Sequence, residues 1–172
     1  ATPAGLLDRA PLECAPDRPE PDADDDEPLL EPNPATEGVD WICAEKGRVT
    51  HPLAARAFDA AMGMWRTCDQ RGLLKDNGDP DLQEMVGKAQ ALSAKLAGAL
   101  DSLAYEVEIE PGFVVASLKR ALKPCESTLA SLAKVKEKQL LDAAGLNAFG
   151  DELFAVREDM LRIMKQFRQR IT

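Results

Sequence analysis

The stretch Asp79–Val107 reads DPDLQEMVGKAQALSAKLAGALDSLAYEV. Within it Leu82, Met85, Ala89, Leu92, Leu96, Ala99 and Leu103 recur at spacings of three and four. That period places them on one stripe of a helix about seven or eight turns long. Asp79 is suited to cap this helix and Pro80 to its first position, with Asp81 and Glu84 at the positive end of the dipole. Gly87, Ala91, Ala94 and Gly98 make a second strip of small residues, along which a neighbouring helix is expected to approach closely.

Three further stripes flank the first. Upstream, Thr50 or His51 is suited to cap a helix opened by Pro52, whose face carries Leu53, Ala57, Phe58, Ala61, Met64, Trp65 and Cys68 and which Gly72 ends. Asn77-Gly78 marks a turn into the central helix. Downstream, Glu106–Glu110 alternates for too few residues to require a strand and is read as a frayed helix end plus linker. Pro111 then opens a helix with Val114, Leu118, Ala121, Cys125, Leu129, Leu132 and Val135 on its face. Pro124 lies inside it, removing one hydrogen bond and crowding the carbonyl of Arg120, so a kink or break is expected there. This helix is expected to run to Ala144 and stop at Gly145. A fourth helix, from Asn147 or Asp151, turns Leu153, Val156, Met160, Ile163, Met164 and Phe167 inward.

Four stripes joined by short links read as an all-α antiparallel four-helix bundle over residues 41–172. Composition agrees: Ala, Leu, Glu and Lys dominate, and aromatic residues make up only 5% of the 172 residues. Trp41, Ile42 and Val49 are expected to cover one end of the bundle, with a short strand or single helical turn near 39–44.

Residues 1–40 are of another kind. They hold 8 of the 12 prolines and 12 of the 30 acidic residues, but only Arg9 and Arg18 as bases. The net charge of −9 therefore belongs to this segment. Asp17–Pro34, DRPEPDADDDEPLLEPNP, combines clustered carboxylates with residues that deny the backbone its donors, so an extended arm is expected rather than helix or sheet. Leu29 and Leu30, between Pro28 and Pro32, are candidate anchors on an apolar groove. Asp24, Asp25 and Asp26 are candidate electrostatic contacts. Arg162, Lys165 and Arg168 near the end of the last helix are their candidate counterparts, although bases there also suit the helix dipole.

Catalytic and cofactor motifs are missing from the sequence. There is no phosphate-binding glycine loop, nucleophile elbow or haem-attachment motif, and one histidine cannot furnish a di-iron bundle. His51, beside Pro52 at a helix start, reads as a cap rather than a phosphotransfer residue. Cys14, Cys43, Cys68 and Cys125 lack metal-ligand spacing and read as free thiols, with a Cys43–Cys68 disulfide as the oxidising alternative. No cofactor and no metal are expected. No apolar run is long enough to cross a bilayer and no charged-then-apolar leader opens the chain, so a soluble cytoplasmic protein is expected.

The functional expectation is a non-enzymatic interaction or scaffold module. Its acidic arm docks on its own bundle, on a second subunit or on a partner protein. The alternative is a ligand-binding or sensor bundle with an apolar pocket at the Pro124 kink, near Met64, Trp65 and Phe113. Nucleic acid is disfavoured, because the arm repels phosphate.

Overall fold

The computed structural model describes residues 29–105 and 108–171. Four helices carry the described chain: α1 (Pro52–Gln70), α2 (Pro80–Leu100), α3 (Pro111–Lys138) and α4 (Ala143–Arg168). Among the described residues the only strands are β1 (Ile42–Cys43) and β2 (Val49–Thr50), antiparallel, with Ile42 opposite Thr50 and Cys43 opposite Val49. The expected strand near 39–44 is thus present, as half of a two-residue hairpin.

The caps follow from the sequence. His51 Nδ1 accepts from Leu53 N at 3.1 Å, and Pro52 occupies the first turn of α1. Gly72 takes φ +67° just past the end of α1, a conformation that glycine adopts without strain. Gly78 is fixed by space instead: a Cβ there would lie 2.5 Å from the Leu73 carbonyl oxygen. Asp79 then accepts from Asp81 N and Leu82 N at 3.0 and 3.1 Å, opening α2.

α2 is shorter than its apolar stripe suggests. It ends at Leu100, and Asp101–Ala104 tighten into a 3₁₀ turn. Leu82, Met85, Leu92, Leu96 and Leu100 are almost wholly buried. Truncating such a leucine to alanine typically costs about 2–5 kcal/mol. α2 packs against α1 and α3, and α4 packs against α3 and α1. The strip of small residues does not receive a helix. No described atom lies within 4 Å of where a Cβ would stand on Gly87 or Gly98, so these residues leave shallow grooves.

α3 does not break at Pro124. It runs without interruption from Pro111 to Lys138, with Pro124 buried between fully buried Ala121, Cys125 and Thr128. The lost backbone donor affects one hydrogen bond, while packing on both sides holds the helix together. Thr128 Oγ1 donates to the Pro124 carbonyl at 2.7 Å and keeps its own hydroxyl satisfied. α3 also ends earlier than expected. Gln139 takes a left-handed φ of 53°, and Asp142 caps α4, accepting from Gly145 N at 3.3 Å. Gly145 therefore lies in the first turn of α4 rather than ending α3.

Two further expectations change. Phe58 is not core: it lies at the surface, with the Arg48 guanidinium 4.5 Å above its ring. Cys43 is disulfide-bonded, and Cys68 and Cys125 are free and buried. A free Cys68 rules out the Cys43–Cys68 pairing, and a bonded Cys43 rules out four free thiols.

Candidate functional site

The segment 33–51 ties the N-terminal part of the chain to the far end of α2. Asn33 N donates to Ala104 O at 2.7 Å. Trp41, only 6% exposed, donates from Nε1 to Asn33 O at 2.8 Å. Thr50 Oγ1 and His51 N both donate to Asp101 Oδ1, at 2.8 and 2.9 Å. One carboxylate thus satisfies two donors at the start of α1. Trp41, expected among the residues covering one end of the bundle, is buried, and its indole hydrogen-bonds the chain that precedes it.

Burial pushes the His51 imidazole below its ordinary value, against the opposing pull of Asp40 and Asp101. With Nδ1 accepting from Leu53, the ring proton of the neutral form sits on Nε2. Burial raises both free thiols, Cys125 to about 11, so neither is poised as a thiolate near neutral pH. No group of three or more His, Cys, Asp or Glu among the described residues is placed to hold a metal ion. No helix among them is long and apolar enough to cross a membrane.

The described residues include only part of the sequence-predicted contact set. Leu29 and Leu30 are 69% and 71% exposed and rest in no groove of this chain. Asp24, Asp25 and Asp26 lie outside the described residues. On α4, Arg162 is bound to Asp159 at 2.8 Å, and Arg157 approaches Glu158 at 3.4 Å. Lys165 and Arg168 are exposed in the last turn.

A different set of bases converges between α2 and α3. Lys88, Lys95, Arg120 and Lys123 line a groove of about 410 Å³, floored by Ala91, Pro124 and Ser127. No carboxylate lines it, and none of the four bases has an ion-pair partner among the described residues. The small residue Ala91 leaves the groove open, and Pro124 offers no N–H to it. This is also where the alternative reading expected an apolar pocket. The lining is basic instead, and Phe113 is 53% exposed.

Sequence reading missed this group because its members sit seven apart on one helix and three apart on another. No run of bases announces them. The signal is two-dimensional and becomes visible only once α2 and α3 are known to be neighbours. A second groove, between α1 and α4, is lined by Met64, Leu146 and Phe149, with Asp59, Arg71 and Asp142 at its polar side.

Comparison of the chain with protein-family models, with curated proteins and with solved structures finds no match.

Proposed function

We propose that this chain is a non-enzymatic interaction module. An antiparallel four-helix bundle is its scaffold, and the acidic, proline-rich arm of residues 1–40 is its adaptable part. The arm docks on its own bundle, on a second subunit or on a partner protein that competes for the same surface. The observation that carries this reading is the fixed root of the arm. Asn33 is tied to the end of α2 through Ala104 and Trp41, and α2 is also one wall of a basic groove with no carboxylate of its own. A segment with a net charge near −10 by residue count is therefore rooted on the helix that supplies two of that groove's four bases.

Backbone hydrogen exchange across residues 1–32, before the hydrogen-bonded root at Asn33, tests this reading. Protection at low salt that is lost near 0.5 M, where the screening length is about 4 Å, supports electrostatic docking. Exchange at free-peptide rates in both salts, with the same mass by light scattering with and without residues 1–28, overturns it. A second reading, a small apolar ligand, draws on the α1/α4 groove of about 390 Å³ with Met64 and Phe149 in its wall. A thermal shift with apolar probes that Met64→Ala abolishes would favour it.

A further inference from the structure

We propose that the acidic segment Asp24–Glu27 docks, within its own chain, in the groove between α2 and α3, against Lys88, Lys95, Arg120 and Lys123. This rests on the reading of the arm as a docking segment and gives it an address.

Three observations converge on that address. The first is charge. The four bases share one groove, no acidic side chain lines it, and the described residues supply none of them with a counter-ion. The bases of α4 compete less well, because Arg162 is already satisfied by Asp159 and Arg157 lies against Glu158.

The second observation is reach. The chain is pinned at Asn33 to Ala104, so the arm starts its path beside the end of α2. At about 3.1 Å per residue, six to nine residues of extended proline-rich chain can reach roughly 19 to 28 Å from that pin. With rises of about 1.5 Å per residue in α2 and 2.0 Å in the 3₁₀ turn, Lys95 and Lys88 lie roughly 16 and 26 Å from Ala104. The two intervals overlap, so the arm can lie along the groove with no slack loop, and an intramolecular contact gains a high effective concentration.

The third observation is what the leucines do not do. Leu29 and Leu30 are exposed, so apolar anchoring gives this part of the arm no fixed place among the described residues. Clustered carboxylates facing clustered ammonium and guanidinium groups form short, charge-assisted hydrogen bonds that a groove open to water tolerates.

Zero-length carbodiimide cross-linking of the full chain, followed by digestion and mass spectrometry, tests the proposal. The expected result is amide links from Asp24–Glu27 to Lys88, Lys95 or Lys123, with a yield unchanged by tenfold dilution. Arg120→Gln removes one of the groove's four positive charges without removing a reactive amine, and it should lower the yield at those lysines at least twofold. Salt at 0.5 M should lower it similarly. Links to Lys165 instead, or links that disappear on dilution, overturn the groove and leave the docking arm standing. An arm that cross-links nowhere and exchanges like free peptide overturns both. A yield at the groove lysines indifferent to Arg120→Gln and to salt also overturns the groove, because it marks random collision.

Discussion

At the C-terminal end of α2, Asp101 accepts from Thr50 Oγ1 at 2.8 Å and from His51 N at 2.9 Å. At the N-terminal end, Asp79 and Asp81 each lie 2.7 Å from Lys138 Nζ. Bond length does not separate the two ends, but water does. Thr50 and His51 are 1% and 8% exposed and lie near the buried indole of Trp41, whereas the Lys138 side chain is 40% exposed. A buried donor that loses its acceptor costs about 1–3 kcal/mol, while an exposed ion pair returns most of its attraction to solvent. One end therefore holds structure, and the other trims a charged rim. The arm is rooted at the end that holds.

The largest test of this contrast removes the indole. Trp41→Ala is expected to destabilise the protein by about 3–5 kcal/mol in urea unfolding, the usual range for a buried tryptophan. It also leaves Asn33 O without its Nε1–H donor, so exchange at Asn33 N should quicken out of proportion to the global loss. An effect below about 1 kcal/mol would mean that the two ends are alike and the contrast drawn from burial is wrong.

A smaller effect separates the ends by pH. His51 titrates below its unfolded value of 6.5, chiefly because burial disfavours its charged form, with Asp40 and Asp101 facing it and opposing the shift. The unfolded chain therefore takes up a proton first. The stability associated with neutral His51 is complete above pH 6.5 and is lost as the pH falls through the folded value. Protonated Nδ1 can no longer accept from Leu53 N, so the loss includes a helix cap worth about 1 kcal/mol. His51→Asn keeps a capping acceptor and removes the titration. Thermal unfolding between pH 7.5 and 5 should fall for the parent and stay nearly level for His51→Asn. An equal fall in both would assign the proton uptake elsewhere.

How much of this was legible depended on the dimension in which each signal lies. Helix starts are one-dimensional: His51-Pro52, Asp79-Pro80 and Pro111 announce themselves within two residues, and the structure places all three. Helix ends were harder. Leu103 continues the stripe of α2, yet the 3₁₀ turn begins at Asp101, whose carboxylate accepts from residues 50 and 51, far back in the chain. At Pro124 local chemistry argues for a kink or a break, and burial on both sides keeps the helix unbroken. The basic groove was invisible because it needs two helices at once, whereas the bases of α4 stood out because they recur every third residue along one helix, at 162, 165 and 168. That recurrence pointed to a set of which Arg162 is already paired with Asp159.

The smallest expected effect belongs to Lys138. Its hydrogen bond holds the Asp79 carboxyl below the ordinary 3.8, and Asp79 and Asp81 together hold the Lys138 ammonium above the ordinary 10.5. The sign differs at the two limits. The carboxylate contribution is present above pH 3.8 and lost as the pH falls through the folded value. The ammonium contribution is present below pH 10.5 and lost as the pH rises through its folded value. Between those limits the bridge is fully formed, yet both partners remain open to water and salt. Asp79 keeps its more important task without Lys138, because it caps α2 through Oδ1 and meets the lysine through Oδ2. Lys138→Gln should therefore shift the unfolding midpoint by no more than about 1 °C at pH 7 and moderate salt, in line with exposed pairs generally. A drop of several degrees would show that the rim holds structure after all, and that exposure is a poor guide to which end of α2 matters.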